Sequence, residues 1–272
     1  MSTYETFLQL HHGKEAFIMP NAWDGASAAL LQRAGFLALG SSSAAIAFAL
    51  GRQDGRHAVS LTEAIDNAKL LFRASGLPIN GDLEDGFGPT PDDCVRTVHA
   101  AIDAGLGGVG IEDTTANPSK PIHDFDAAVA RVSAAAKAAR GKIVLTGRTD
   151  NFINGREDLD DTIRRLVAFA EAGADVLYAP ALPDMDAIKK VVAAVAPKPV
   201  NVLIGPGTGV VPITELSAAG VKRISLGGAL YRVAMSALVH TATAMRAGDL
   251  KPATTGVPFG ELTALFPERR LD

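Results

Sequence analysis

Carboxylate side chains gather at the ends of two short apolar segments in the first half of the chain. Asp82 and Glu84 stand in the string NGDLEDGFG, and Glu112 stands in the string GVGIED. Carboxylates this close repel one another and raise each other's pKa unless a cation neutralises them. Ligation by oxygen alone suits Mg²⁺ or Mn²⁺. Each acid alone could be an ordinary loop charge or a helix cap, but the three together favour a divalent-cation site.

A basic residue and a run of serines stand at the ends of two other apolar segments. Arg148 follows the run IVLTG, where its guanidinium could hold a substrate carboxylate through two hydrogen bonds. An ion pair of Arg148 with Glu112 or Asp150 is the alternative, and the two roles are compatible. The serines at 41–43 could offer hydroxyl and backbone N–H donors to an oxyanion, or could simply be small residues of a turn.

These residues would meet if the apolar segments were parallel strands of one barrel. Short apolar runs alternate with longer helical patterns, as in repeated strand–helix units. The predicted strands are 16–19, 37–40, 78–82, 108–112, 143–148, 175–179, 200–204 and 223–226. We therefore predict an α/β fold, a (β/α)8 TIM barrel, as a single domain over residues 1–272. In such a barrel the active site forms at the carboxyl ends of the strands, where the acids and Arg148 fall.

Capping residues and glycines mark where the helices begin and end. Ser60 and Glu63 have the spacing of a capping box, and glycine closes several helical runs just before the next strand. These glycines are Gly35, Gly105, Gly173 and Gly220. The last helical pattern, at about 231–246, is apolar on much of its surface. It is therefore expected to pack on the barrel or on another subunit.

Composition excludes several classes of protein. The chain has 272 residues, of which 47% are hydrophobic and 21% charged, which is ample material for a folded core. A net charge of −4 with interspersed signs argues against nucleic-acid binding. Cys94 is the single cysteine, so no internal disulfide can form. Apolar runs are too short to cross a membrane and the start of the chain lacks a secretory pattern, so we expect a cytoplasmic protein.

Six strings, taken in order, resemble the isocitrate lyase and phosphoenolpyruvate mutase family. They are MPNAWDGASAALLQRAGF, ALGSSSAAIAFALGRQDG, NGDLEDGFG, GVGIED, GRTDNF and PVNVLI. The resemblance extends over most of the chain. It implies a Mg²⁺-dependent TIM barrel that binds an α-oxocarboxylate and stabilises an enolate-like species during carbon–carbon or phosphorus–carbon chemistry. It also implies a homo-oligomer, a dimer or tetramer, whose subunits exchange the last helix.

The resemblance also implies roles for individual residues. Asp82 would bind the metal directly, while Asp54, Glu84 and Glu112 would hold metal-bound waters. The residues that would contact or act on the substrate are Ser42, Ser43, Asp54, Glu112, Arg148 and Asn201.

Departures from the family pattern bear on the substrate. Isocitrate lyases carry a cysteine acid/base in a loop that here reads DTTANPSKPIHD, and Cys94 is expected to be a small buried residue elsewhere. His123 and Lys120 lie in this loop and are the candidates for the missing acid. Gly40 replaces a tryptophan and is expected to enlarge the pocket. In addition, Ser43 stands where the family has glycine, and Glu84 where it has aspartate.

Three functions remain open at this point. The first is a carbon–carbon lyase or decarboxylase acting on a small oxo- or hydroxy-carboxylic acid. The second is phosphorus–carbon mutase or hydrolase chemistry on a phosphonopyruvate-like substrate, for which the loop is poor in cations because Lys120 is its one positive charge between Asp113 and Asp124. The third is a non-catalytic oxo-acid binding protein, since fold alone does not guarantee activity.

Overall fold

Eight parallel strands form the centre of the molecule. The computed structural model describes residues 1–55, 57–205 and 211–266. The strands are β1 (Phe17–Met19), β2 (Leu39–Gly40), β3 (Ile79–Asp82), β4 (Gly108–Glu112), β5 (Val144–Arg148), β6 (Val176–Tyr178), β7 (Val200–Leu203) and β8 (Arg223–Ser225). Their order in the sheet is β1-β8-β7-β6-β5-β4-β3-β2, and a bridge between Asn21 and Gly40 links the two ends. The predicted (β/α)8 barrel is confirmed.

The observed strands are shorter than several predicted ones. Only β4 has the predicted bounds, and the others lose one or two residues at their ends. Leu37, for example, was assigned to the second strand but is 59% exposed, because sheet pairing begins with Leu39 opposite Ile79. Apolar character alone does not show where the hydrogen-bonded ladder begins.

Helices surround the barrel and follow most of the strands. They are α1 (Thr3–Leu10), α2 (Gly25–Arg33), α3 (Ser43–Ala49), α4 (Leu61–Ser75), α5 (Pro91–Asp103), α6 (Phe125–Ala139), α7 (Leu159–Ala172), α8 (Met185–Val195), α9 (Ile213–Ala218), α10 (Ala229–Arg246) and α11 (Phe259–Thr263). The capping box of Ser60 and Glu63 begins α4 as predicted. The four predicted glycines after helices all have positive φ, between 76° and 111°, a conformation that costs glycine little.

The inside of the barrel changes character along its axis. At the amino end, Phe7 of α1 packs with Met19, Val144 and Val176 and closes the barrel with apolar side chains. Polar side chains of the strands fill the middle, and all are nearly inaccessible: Asn80, Thr146, Asn201, Arg223 and Ser225. The main apolar core lies between the outer faces of the strands and the helices. Apolar side chains thus surround the polar interior of the barrel, both at its amino end and between the strands and the helices.

Helix α10 departs from this pattern. It begins at Ala229, two residues earlier than predicted, and none of its residues is buried. Tyr231 packs against Trp23 and Phe48, with ring centroids 5.3 and 6.1 Å apart. Beyond Tyr231 the helix exposes Val233 and other apolar side chains to solvent. No helix in the described part of the chain is long and apolar enough to span a membrane.

Candidate active site

A cleft opens at the carboxyl ends of the strands. It measures about 520 Å³ and is bordered by the loops after β2, β3, β4 and β5. A narrower chamber of about 60 Å³ lies in the barrel interior and shares Glu112 and Arg148 with the cleft. Six carboxylates line the two spaces: Asp54, Asp82, Glu84, Asp85, Glu112 and Asp150. Asp54, Asp82, Glu84 and Glu112 were predicted to share one site, and the fold brings them together.

Hydrogen bonds from the residues that follow β2 orient Asp82. Its Oδ2 accepts hydrogen bonds of 2.9 Å from both the backbone N–H and the hydroxyl of Ser43. Its own backbone N–H donates to the hydroxyl oxygen of Ser41 at 2.9 Å. Because two donors hold one oxygen, the carboxylate has a fixed direction at the end of β3.

Arg148 lies within ion-pair distance of three acids of the cluster. Its Nε and Nη2 donate to the two carboxylate oxygens of Asp150 at 2.5 and 2.7 Å, and its Nη1 lies 3.0 Å from Oε2 of Glu112. The same Nη1 is 3.6 Å from Oδ1 of Asp82. Thr114 donates to the other oxygen of Glu112 at 2.6 Å. The predicted ion pairs of Arg148 with Glu112 and Asp150 are both present, and they occupy most of its donors.

The loop after β3 carries Glu84 into the cleft in an uncommon backbone conformation. Glu84 has a φ of 47°, in the left-handed backbone region that residues other than Gly, Asn and Asp rarely adopt. Its Oε2 accepts from the backbone N–H of His57 at 3.2 Å, and its carbonyl accepts from Glu112 N–H. The ring Nε2 of His57 lies 2.7 Å from Oδ1 of Asp85. The loops after β2 and β3 therefore hold each other in place around the cleft.

Burial and mutual repulsion alter the acidity of the cluster. Burial, followed by the nearby carboxylate of Asp82, raises the pKa of Glu84 to about 7. The same two causes raise the pKa of Asp54. Burial also raises the pKa values of Glu112 and Asp150, although Arg148 opposes the shift in both. Arg148 alone does not offset the carboxylates of Asp54, Asp82, Glu84, Glu112 and Asp150, so the cluster would bind an additional cation favourably.

The donor set fits Mg²⁺ in its usual water-rich form. Among residues 1–55, 57–205 and 211–266, no three Asp, Glu, His or Cys side chains converge as a complete set of ligands. Mg²⁺ commonly keeps several waters and is bound directly by only one or two carboxylates. The oxygens of Asp82, Glu84, Glu112 and Asp54 suit that mode of binding, since one acid can bind directly while the others receive hydrogen bonds from waters.

The other predicted residues are distributed between the cleft, the chamber and the scaffold. Ser43 lines the cleft and Asn201 the chamber. Ser42 is buried at the start of α3, where its hydroxyl accepts from Ala45 N–H at 3.3 Å, so its side chain caps a helix. His123 lies outside the lining of both spaces, and its Nε2 is buried without a hydrogen-bond partner in the described structure. Catalysis by His123 stays a prediction.

Two further expectations concerned Gly40 and Cys94. The expectation that Gly40 enlarges the pocket was wrong, because a side chain there would lie 2.7 Å from Nδ2 of Asn21, which already fills the space. Asn21 holds this position by accepting from the backbone N–H groups of Leu226 and Gly227. Cys94 is fully buried in α5, as expected, and burial raises its pKa to about 11.

Several residues of the site were not predicted from the sequence. Asp150 was considered only as an ion-pair partner, and His57, Thr114 and Arg223 were given no role at the site. The loops that carry His57 and Thr114 follow predicted strands, which is a signal that could have identified them. Arg223 opens the β8 segment, and no local pattern shows that its side chain points into the barrel.

Comparisons with known proteins agree with this geometry. The family model described as phosphoenolpyruvate phosphomutase matches residues 7–246. An oxaloacetate decarboxylase of Paraburkholderia xenovorans is 32% identical over 89% of this chain and 82% of its own. The "Probable 2-methylisocitrate lyase 2" of Corynebacterium glutamicum is 32% identical over 80% of this chain and 72% of its own.

A solved structure supports the same assignment. A protein of Burkholderia cenocepacia, described as a lyase or mutase, is 44% identical and superposes with a TM-score of 0.92. The superposition covers 96% of this chain and 94% of the other. The family match extends over the strands, the acid cluster and Arg148, the features from which the resemblance was first drawn. The chain therefore belongs to the phosphoenolpyruvate phosphomutase family.

Proposed function

We propose that the protein is a Mg²⁺-dependent carbon–carbon lyase or decarboxylase that acts on a small oxo- or hydroxy-carboxylic acid through an enolate-like intermediate. The observation that carries the proposal is the set of carboxylates around the single guanidinium of Arg148 at the carboxyl ends of β3, β4 and β5. Relatives named as an oxaloacetate decarboxylase and a 2-methylisocitrate lyase support it.

The chain's own residues would orient the reactants and stabilise developing charge. Ser43 fixes the direction of Asp82, and Asp150 fixes the plane of Arg148. Cleavage of a bond next to a carbonyl leaves negative charge on the carbonyl oxygen, and a fixed guanidinium lowers the energy of that charge. Asp82, Glu84, Glu112 and Asp54 would hold Mg²⁺, which when bound supplies Lewis-acid stabilisation of the same charge.

Two alternatives are less well supported by the site. A phosphonopyruvate-type substrate would need more positive charge around its phosphonyl group, yet Arg148 and Arg223 are the only Arg or Lys side chains among the described residues that line the cleft and chamber. Lys120 is 56% exposed and is paired with Asp124. Binding without catalysis would leave the fixed orientation of Asp82 and Arg148 without a purpose.

The test is a coupled assay for pyruvate release from oxaloacetate and from 2-methylisocitrate-type acids. Wild type is measured with and without Mg²⁺, beside Asp82→Ala and the control Asp103→Asn, an exposed acid at the end of α5. We expect metal-dependent turnover that Asp82→Ala abolishes and the control retains. Turnover of phosphonopyruvate alone, followed by phosphorus NMR, would overturn the proposal in favour of phosphorus–carbon chemistry. Ligand binding with no product from any acid would favour a binding protein.

We further propose that α10 packs against another copy of the chain. Its exposed apolar residues are Val233, Leu238, Val239 and Met245, with exposures of 67%, 60%, 65% and 46%. Several large apolar side chains exposed on one helix are costly in a monomer and are typical of a protein–protein interface. A homo-oligomer in which this helix is covered would remove that cost.

A further inference from the structure

Arg223 is a buried cation without an acidic partner in the part of the chain that the structure describes. It begins β8, is 1% exposed, and lines the inner chamber together with Asp82 and Arg148. Among the described residues, its nitrogen atoms contact neutral groups: Nε donates to Oδ1 of Asn201 at 2.9 Å, and Nη2 donates to the hydroxyl of Thr146 at 3.0 Å. Nη1 lies 3.3 Å from Nε2 of His11.

The tautomer of His11 follows from its other contact. Its Nδ1 lies 2.9 Å from the carbonyl oxygen of Phe7, which can only accept, so Nδ1 carries the proton. Nε2 is then an acceptor for Arg223 and carries no charge. His11 therefore orients the guanidinium without neutralising it.

Comparison with the two other deeply buried arginines shows that Arg223 is unusual within this protein. Arg131 and Arg165 are 2% and 3% exposed. Each faces an aspartate: Arg131 is 3.8 Å from Asp85, and Arg165 is 3.1 Å from Asp113. No Asp or Glu of the described residues forms an ion pair with Arg223. Burying an unpaired charge costs several kcal/mol, so a protein that retains one gains something from it.

The guanidinium of Arg223 also has N–H groups that the three contacts do not use. It carries five N–H groups, and the three contacts above use one on each nitrogen, which leaves two. Arg148, the other arginine of the chamber, differs in charge, because it already forms ion pairs with Asp150 and Glu112. An anion that enters the chamber would therefore find free N–H groups and uncompensated positive charge at Arg223.

We propose that Arg223 binds a carboxylate group of the substrate inside the barrel and selects dicarboxylates over monocarboxylates. This inference rests on the proposed function, since it assumes that a small carboxylic acid enters the site. The chamber of about 60 Å³ has room for a few water-sized groups, as a terminal carboxylate requires. A planar carboxylate matches the paired N–H groups of a guanidinium. The other end of the substrate remains beside Asp82 and Arg148, where the same chamber meets the cleft.

The experiment measures binding without turnover. Isothermal titration calorimetry gives the affinities of malonate and succinate against those of acetate and pyruvate, with and without Mg²⁺. Wild type is compared with Arg223→Met and with Arg131→Met, a buried arginine that has its own aspartate. We expect wild type to bind a dicarboxylate at least tenfold more tightly than a monocarboxylate. Arg223→Met should reduce this ratio to below threefold, while Arg131→Met lowers stability but keeps the ratio.

A second variant keeps the test decisive if Arg223→Met fails to fold. Asn201→Asp has nearly the same shape and places a carboxylate beside Nε of Arg223, so it supplies the missing anion from within the chain. We expect it to raise the midpoint of thermal unfolding and to weaken dicarboxylate binding at least tenfold.

The outcomes separate this inference from the proposed function. No preference for dicarboxylates in wild type, or an unchanged ratio in a folded Arg223→Met, would overturn the role of Arg223 even if the enzyme is an active lyase. If Arg223→Met lost the preference for dicarboxylates while wild type turned over no acid, the role of Arg223 would be upheld and the lyase function would fail.

Discussion

The barrel interior is more charged than the inside of a protein usually is, and the surface of α10 is more apolar than a protein surface usually is. The interior holds buried carboxylates and two arginines, whereas α10 exposes valine, leucine and methionine to water. Charges are normally at the surface and large apolar side chains inside. Each region is therefore unfavourable in the isolated chain, and each would be relieved by a different partner.

The difference between the regions lies in what would relieve them. Buried charges at the end of a barrel are relieved by ions and by a polar ligand, which makes the interior a site for small molecules. An exposed apolar helix is relieved by a complementary apolar surface, which makes α10 a site for a protein. Local departures from the usual distribution are expected at functional positions. The predictions below test each side of this contrast.

The largest effect is expected for Arg148→Lys. An ammonium group cannot form two parallel hydrogen bonds to Asp150 together with a third contact to Glu112. We expect kcat/KM in the pyruvate-release assay to fall by about 10²–10³-fold, as for loss of a fixed electrostatic donor. The control Arg33→Lys changes an exposed arginine at the end of α2 and should retain wild-type activity. Activity of Arg148→Lys close to wild type would contradict the interior as a preorganised site.

On the other side of the comparison, Leu238→Glu should disrupt self-association. A charge in the middle of the apolar surface of α10 would be desolvated in the oligomer, so we expect the dissociation constant to rise about 100-fold or more. Analytical ultracentrifugation measures this change. Leu37→Glu is the matched control, because Leu37 is 59% and Leu238 is 60% exposed. If both variants had the same assembly state as wild type, α10 would not be the interface.

A smaller effect on activity is expected from Arg165→Met, which lies behind the site. Arg165 donates to Asp113 at 3.1 Å, and Asp113 accepts from the backbone N–H of Asp150 at 2.9 Å. Removing the guanidinium leaves Asp113 buried without its counter-charge, which costs about 3 kcal/mol of stability. Because Asp150 anchors Arg148, we also expect kcat to fall about tenfold with little change in KM.

Arg164→Met is the neighbouring control for that variant. Arg164 is 60% exposed, pairs with Asp161 and stacks over the ring of Phe125 at 4.3 Å. Because an exposed ion pair contributes little, its loss should change chemical unfolding and kcat only slightly. Equal effects of the two substitutions would mean that the Asp113–Arg165 pair does not position Arg148.

The last prediction concerns stability in acid and leaves activity near neutral pH unchanged. Burial, followed by the charge of Arg223, lowers the pKa of His11 to about 3. The unfolded chain binds a proton near its ordinary value of about 6.5, whereas the folded chain does not. The stability that neutral His11 contributes is therefore complete above about pH 6.5 and is lost as the pH falls toward 3, by about 1.4 kcal/mol per unit. His11→Gln should reduce the acid slope of the unfolding free energy by this amount, and His12→Gln, at an exposed neighbour, should not. Parallel slopes in the two variants would refute this account.

Much of the fold and part of the site could be predicted from the sequence. All eight strands were found, because short apolar runs between helical patterns are a local signal. Asp82, Glu112 and Arg148 were assigned to one site because each ends a strand, and in a parallel barrel those ends meet. The register failed at Leu37, since the start of sheet pairing depends on the neighbouring strand and not on the hydrophobicity of the residue.

The sequence by itself determined the barrel, the order of its strands and the end at which the acids gather, because these follow from local pattern and from the geometry of parallel sheets. Only the tertiary structure decided that Asn21 fills the space beside Gly40, that Arg148 is held by Asp150, and that Arg223 is buried with no acid of residues 1–55, 57–205 or 211–266 beside it. Those features depend on which side chains meet across the barrel, between residues up to about two hundred positions apart in the chain. No local pattern carries that information, because the contacts exist only after the barrel has closed.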